Sequence, residues 1–465
     1  MRRAPDPESL QAKRHSALSR RHNVQTEVRI PLRLIGGLAI LVMLGTSLLL
    51  LPVMGKQQPL MFDQAIFTAV SALSVTGLSI ITPYTDLSFA GKFVLLTLIQ
   101  IGGIGYMVLA VVAFRLIGKK VALADRLALR DALGLVSQRG IIKLTSQIMF
   151  TVITIELLGA FLLWLNWRNS IPGIEGIFYA LFHAVSAFCN AGFDLFNGRP
   201  DYPTGVPNDT ATVLIMATLI FLGSIGIPVL FDLITYHWRR RLSLHTRITL
   251  PIVFGLIILS TIGLEISEGL TTGILHHEPL YRQVLLALAQ VISARTAGFT
   301  FMPTFTGLEP SSELLLTICM FIGSSPASMG GGITTGTFGI LALALWAQAK
   351  GHSTPIIEGK AIPGEMIRRG AAVLTISLAV VLVATWILLV THNTSLALAL
   401  FEVTSAFATC GLSMGLTGEL NTTGKIVIMM MMFWGRLGAL TIIVALTRSR
   451  QPKRIIYPEE KILIG

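Results

Sequence analysis

Long apolar runs alternate with short polar connections along nearly all of this 465-residue chain. Leu34 to Val53, Ile148 to Trp164, Thr249 to Leu264 and Ala371 to Val390 approach the ~20 residues that carry a helix across ~30 Å of hydrocarbon. Between these runs a shorter pattern recurs: "SALSVTG" ends at Gly77, "SAFCNAG" at Gly192, "ISARTAG" at Gly298 and "SAFATCG" at Gly411, with the glycines 115, 106 and 113 residues apart. Before each heptad stands an apolar segment of roughly 10 to 15 residues, beginning near Phe62, Gly176, Tyr281 and Leu396. Such a segment is too short to cross a bilayer and suits a re-entrant helix. After each comes a second long run: "GKFVLLTLIQIGGIGYMVLAVVAF", "TATVLIMATLIFLGSIGIPVLFDLI", "SELLLTICMFIGSSPASMGGGITTG" and "GKIVIMMMMFWGRLGALTIIVAL". The unit is long helix, short helix, glycine-bearing turn, long helix. The expected fold is an all-α polytopic membrane protein, with eight spans and four re-entrant pore helices in four pseudo-symmetric repeats around a central pore.

Composition agrees with that pattern. Apolar residues make up 53% of the chain and charged residues 13%, against roughly 25% charge in an ordinary soluble domain. The repeats are expected at 34–114, 145–236, 248–346 and 371–447, between a basic tail at 1–33 and a second tail at 448–465. An even number of spans per unit puts both tails and the linkers 115–143, 237–247 and 347–370 on one face. Those five segments hold 28 of the 36 Lys and Arg but 9 of the 24 Asp and Glu, so the positive-inside rule makes that face, with both termini, cytoplasmic. The net charge of +12 is then explained by topology and membrane lipids, without nucleic acid. Residues 1–33 are too long for the n-region of a cleaved signal and carry Asp6, Glu8 and Glu27. Within 115–134, Leu123, Leu127 and Leu133 are spaced for a surface-lying amphipathic helix or a docking site. Cys189, Cys319 and Cys410 form no C-x-x-C pair, which argues against a disulfide framework or a metal site.

Non-helical backbone at membrane depth is tolerated only in protein or around water. Four matched glycine turns, each after a short helix, therefore point to a shared pore. In an extended strand bearing a glycine, consecutive carbonyls such as those of Val75, Thr76 and Gly77 can face one way and replace the hydration shell of an alkali cation. Half-helices running towards the axis would turn their partially negative C-terminal ends to the ring. The heptads contain no Lys, Asp or Glu, and only Arg295 is charged, so a neutral dipole cage fits better than a carboxylate ring. Gly102, Gly103 and Gly105 of "IGGIG", and Gly223 and Gly226 of "LGSIG", are read as helix-packing glycines. An intramembrane enzyme would need clustered acids or histidines, and the spans show only scattered Glu156, Asp232 and Glu402. Of these, Glu402 is expected at the start of the fourth short helix, Asp232 at an inner helix end, and Glu156 buried and paired. His276 and His277 are expected to be solvated. Asn208, Asn393 and Asn421 begin glycosylation-type triplets that matter only in a glycosylating cell. "GKK" at Gly118 lacks the upstream glycine of a phosphate-binding loop, and no nucleotide site is legible on this chain.

"SVTGLSI" with "QIGGIG", "FHAVSAFCNAGFDLF", "SARTAGF" with "GSSPASMGGGITTGTF", and "SAFATCGL" with "GRLGALT" together resemble the Trk/Ktr/HKT superfamily of potassium transporters. The similarity is greatest to Ktr-type bacterial membrane subunits, over about residues 34–465. The resemblance implies a selectivity filter at Val75, Thr76, Gly77, Asn190, Ala191, Gly192, Thr296, Ala297, Gly298, Thr409, Cys410 and Gly411, with K+ as the transported ion. Some plant relatives carry serine at the first filter position and favour Na+; Gly77 favours K+, although one filter glycine per strand leaves Na+ as an alternative cargo. The resemblance also implies a gate loop at 323–336 below the filter, including Ser328, Met329, Gly330, Gly331 and Gly332, with Arg436 beside it as an electrostatic barrier and a contact for the loop. Pro326 and the three glycines suit such a break; a kinked, static helix, or a purely structural Arg436, is the alternative. It implies further a homodimer in the plasma membrane, the inner membrane of a bacterium, with a cytoplasmic RCK-type subunit that holds the regulatory nucleotide. The rival to a channel is a Na+- or H+-coupled K+ symporter.

Overall fold

In the computed structural model, which describes residues 35–105, 141–270, 273–352, 354–357 and 359–438, the sequence repeat becomes a repeat of helices. The first unit holds α1 (Ile35–Leu49), α2 (Phe62–Ser74) and α3 (Phe89–Ile104). The second holds α4 (Ile141–Trp167), α5 (Gly173–Phe188), α6 (Thr210–Ser224) and α7 (Ile227–Arg239). The third holds α8 (Leu244–Glu268), α9 (Leu280–Ala294), α10 (Pro310–Phe321) and α11 (Thr335–Ala349). A small hairpin, Ile356–Ile357 against Lys360–Ala361, leads to α12 (Gly364–Thr391), α13 (Leu396–Phe407) and α14 (Thr422–Leu437). The tails 1–33 and 448–465 and the linker 115–134 lie outside the described residues.

Local chemistry sets many of the starts. Ser88, Asp209, Ser243, Thr334, Ser395 and Asn421 each accept a hydrogen bond from the amide three residues on, satisfying one of the amides a helix start leaves open. Among the described residues α4, α8 and α12 are long and apolar enough to cross a membrane alone. Their outward faces present Phe150, Leu158, Leu259, Ile262, Leu382 and Trp386, which a lipid environment accommodates without cost. The short helices α2, α5, α9 and α13 are the inverse: Thr68 to Ser74, Val185 to Phe188, Ala289 to Ser293 and Phe401 to Phe407 are buried. Their C-terminal ends meet in the interior.

The second runs of repeats one, two and four differ from the expected uninterrupted spans, whereas the third is expected to be interrupted at 323–336. The helix α3 stops before Gly105 and α14 before Gly438, while α6 and α7 are bent by 103° across Ile225 and Gly226. The third run opens into a loop between Phe321 and Thr335. Gly105, Gly226 and Gly438 have φ of 86°, 91° and 78°, open to glycine and costly for other residues. Gly105 is thus a break rather than a packing residue, and Gly226 is both, since a methyl carbon on it would come 2.7 Å from the Pro326 carbonyl; hydropathy could not supply the breaks, because the runs stay apolar through them. Gly102, Gly103 and Gly223 do pack. A methyl carbon on Gly102 would strike the Leu73 carbonyl, and one on Gly223 the Phe188 carbonyl; Gly435 repeats the contact at Phe407.

Glu402 is also corrected. It lies mid-helix in α13, fully buried, and accepts hydrogen bonds from Ser413 Oγ (3.0 Å) and from Thr417 Oγ1. It therefore ties the chain that follows the fourth turn to its own helix, rather than serving the helix dipole. Asp232 is corrected in the same way: it lies mid-helix in α7 rather than at a helix end, and accepts from Ser243 N (3.1 Å) and Thr246 Oγ1 (2.6 Å), joining α7 to the start of α8.

Candidate functional site

Each short helix gives way to a residue of positive φ. The residue two before the glycine is left-handed: Val75 at φ 58°, Asn190 at 58°, Thr296 at 99° and Thr409 at 50°. Three of these are β-branched, a conformation that costs about 1–3 kcal/mol per residue and persists only where surroundings enforce it. The turn is thus not the simple extended strand expected from sequence. Its left-handed residue first closes the helix, as Val75 N donates to Ala72 O and Ser71 O, and Thr76 N, Ala191 N and Cys410 N return to Ser71 O, Ser186 O and Ser405 O at 2.7–2.8 Å.

The four glycines follow with φ of 91°, 67°, 74° and 96°, and they close a ring. A methyl carbon on Gly77 would come 2.9 Å from the Cα of Gly192, one on Gly192 3.3 Å from that of Gly298, one on Gly298 3.0 Å from that of Gly411, and one on Gly411 3.2 Å from that of Gly77. In the same order the added carbons would press on the carbonyls of Ala191, Ala297, Cys410 and Thr76. The turns therefore stand around an axis in chain order, and the ring leaves no room for any side chain at these glycines. All twelve residues expected at the filter, Val75 to Gly77, Asn190 to Gly192, Thr296 to Gly298 and Thr409 to Gly411, are brought together here. Four helix C-termini converge on them, which makes the centre favourable for a cation.

Serines brace the ring in two ways. Ser71 Oγ and Ser405 Oγ accept from the amides of Gly77 and Gly411, each at 3.1 Å. Ser186 Oγ and Ser293 Oγ instead donate to the carbonyls of Phe193 (3.0 Å) and Phe299 (2.6 Å). Turns two and three are also joined by the Asn190 side-chain amide, 3.1 Å from Thr296 Oγ1. On the far side of turn two Asp194 accepts from Phe196 N (2.7 Å) on Oδ1, which also lies 3.0 Å from His183 Nε2, and from Val206 N (3.0 Å) on Oδ2.

The loop between α10 and α11 lies against the helix-proximal end of the ring. A methyl carbon on Gly331 would meet Thr409 Oγ1 at 2.7 Å, one on Gly332 would meet Ala408 Cα at 3.3 Å, and one on Gly330 would collide with Thr296 Oγ1. Met329 N donates to Gly223 O at 3.2 Å, Ser328 Oγ lies 2.5 Å from Ser324 Oγ, and Ser325 N donates to Ser224 O at 3.0 Å. Arg436 donates to the Met329 carbonyl of the loop and to the carbonyls of Gly102 and Gly103 on α3. Ser328 to Gly332 and Arg436 are thus assembled in one layer under turns three and four. That layer contains a second cation, noted in the sequence as the one charge in the heptads but given no role there. Arg295 is 2% exposed and donates to the Gly323 carbonyl at 3.2 Å. Its signal was the one used for Arg436, an arginine inside an apolar segment. Glu156 is buried, as expected, and is paired with neutral groups: it accepts from Gln100 Nε2 at 2.9 Å and Cys189 Sγ at 3.5 Å. Cys189, Cys319 and Cys410 are buried free thiols, and His276 and His277 are exposed. Among the described residues no group of His, Cys, Asp and Glu is placed to hold a metal ion.

The family model for TrkH, a cation transport protein, matches residues 11–454. The chain belongs to the TrkH family of cation transport proteins. It is 33% identical to Ktr system potassium uptake protein B of Bacillus subtilis, over 92% of this chain and 95% of that one. It is also 33% identical to the potassium/sodium uptake protein NtpJ of Enterococcus hirae, over 94% of this chain and 97% of that one. The crystal structure of the potassium transporter TrkH from Vibrio parahaemolyticus aligns with a TM-score of 0.71 at 21% identity, covering 90% of this chain and 84% of that chain. The helical architecture described above is therefore the TrkH fold.

Proposed function

We propose that this TrkH-family chain takes up potassium across the plasma membrane, passing K+ through the ring of glycine turns. The observation that carries the proposal is the closure Gly77, Gly192, Gly298, Gly411 and back to Gly77, which gathers the backbone carbonyls of four turns and the C-termini of four helices around one axis. Such a cage strips water from an alkali cation and repays the loss with carbonyl oxygens. No bond is made or broken, so the work is transport rather than catalysis. Counting each interrupted second run as one span gives eight spans and four re-entrant helices, with the basic linkers inside.

The loop around Ser328 to Gly332 is proposed as the gate. It fills the helix-proximal mouth of the ring, and Arg436 clamps its Met329 carbonyl to α3. Opening then requires those hydrogen bonds and the Arg295 contact to Gly323 to exchange. The chain is proposed to act as a homodimer, under control of a cytoplasmic RCK-type subunit that carries the nucleotide. Sodium is the second cargo to weigh, because a relative that is 33% identical is a potassium/sodium uptake protein.

Flux of K+ and Na+ into vesicles holding the purified protein, wild type against Gly77→Ser, tests the proposal. A fall in K+ preference supports it, and an unchanged preference sinks the assignment of Gly77. A K+ current reversing at the K+ equilibrium potential regardless of Na+ and pH separates a channel from a coupled symporter.

A further inference from the structure

The bend between α6 and α7 leaves a groove beside the loop. It is an open surface groove rather than an enclosed cavity, lined by Val152 of α4, Phe188, Ile227, Leu230, Ile234 and Met329. Thr151 alone of its lining side chains carries a polar atom. One wall is therefore the proposed gate loop, and another is the helix break at Gly226. Close by, Phe150 is 74% exposed, and Leu233 and Ile234 are 40% and 45% exposed, so this side of the protein faces hydrocarbon.

Where α7 ends, the chemistry changes within one turn. Arg240 and Arg241 are exposed. The α7–α8 corner that carries them is fixed by Asp232, which accepts from Ser243 N and Thr246 Oγ1. The groove runs along α7 as far as Ile234, six residues and so about 9 Å of helix before Arg240, which places the arginines just beyond its basic-face end.

We propose that an anionic phospholipid of the basic-face leaflet binds here, its phosphate on Arg240 and Arg241 and one acyl chain in the groove against Met329. An occupied groove backs the loop where it stands, because Met329 is held from the ring side by Arg436 and from the helix break by Gly223. Loop displacement then needs the chain to leave, and anionic lipid acts as a brake on transport. The brake rests on the proposed gating role of the loop, whereas lipid binding does not.

The test measures two quantities in phosphatidylcholine vesicles and nanodiscs with graded phosphatidylglycerol: lipid retained on the protein by native mass spectrometry, and K+ flux. Wild type retains phosphatidylglycerol and its flux falls as that lipid rises. Arg240→Gln with Arg241→Gln binds it about thirtyfold more weakly and transports faster. Thr151→Phe, which fills the groove, loses the lipid but keeps low flux at every composition. Equal retention of both lipids, equal retention by all three proteins, or no retention on wild type because another part of the chain covers the groove, overturns the site. Retention as expected with flux indifferent to lipid overturns the brake. Absence of K+ flux in every vesicle overturns the transport reading instead, and leaves the binding result standing.

Discussion

The glycine ring and the layer beneath it are built from the same four repeats, yet only the ring keeps their symmetry. Around the ring every position two before the glycine is left-handed and every glycine abuts the next. Beneath it, repeats one, two and four each break at a single glycine, while the third inserts a loop from Ile322 to Thr334 and the fourth sends Arg436 across to hold it. A cage that must surround an ion equally gains from equivalence. A part that must move one way gains from a single unlike quarter, because one segment can then shift without four moving together.

Breaking the ring gives the largest effect. Gly411→Ala forces a side chain into left-handed backbone, at about 1–2 kcal/mol, and against the Thr76 carbonyl, at about 1–3 kcal/mol more. K+ flux in vesicles is expected to fall on the order of a hundredfold, since 1.4 kcal/mol is about tenfold. Releasing the lower layer acts the other way. Arg436→Gln weakens charged hydrogen bonds worth about 1.5–3 kcal/mol, so resting K+ flux is expected to rise about tenfold. Deleting Ser328 to Gly332 is expected to give a similar rise; no rise in either variant would remove the loop from gating.

A subtler cut tests whether neighbouring turns support each other. Asn190→Leu removes the tie to Thr296, worth about 0.5–1.5 kcal/mol, and is expected to lower the K+ over Na+ preference a few-fold while uptake persists. The smallest effect lies outside both layers. Burial would raise the Asp209 carboxyl, but hydrogen bonds from the Thr212 hydroxyl and amide and from Asn166 outweigh it and hold the group below its ordinary range. A lowered native value means stability that is present above the unfolded carboxylate range and lost as pH falls through the native value. Asp209→Ala is expected to cost about 1 kcal/mol in thermal unfolding near neutral pH, less in acid, with transport unchanged.

The ring was legible in the sequence, because four glycines at near-equal spacing, each after an apolar segment too short to span, are hard to place in a membrane except around a shared axis. That Ser328 to Gly332 and Arg436 lie together was legible through a resemblance. The left-handed backbone of Val75, Thr296 and Thr409 was not, since β-branched residues argue against that conformation and only the packed ring enforces it. The breaks at Gly105, Gly226 and Gly438 were hidden for a different reason: hydropathy reports burial and is blind to φ. Glu402 was misplaced because a carboxylate in an apolar stretch suggests a helix start. Its partners, Ser413 and Thr417, come close only once the chain has turned back.

The most direct measurement of the central claim is a structure of the protein with rubidium in place of potassium, using anomalous scattering to locate the ion. The account predicts bound rubidium on the axis at the level of the Thr76, Ala191, Ala297 and Cys410 carbonyls, lost in Gly411→Ala. Rubidium bound elsewhere, with none at that level in the wild type, would contradict it.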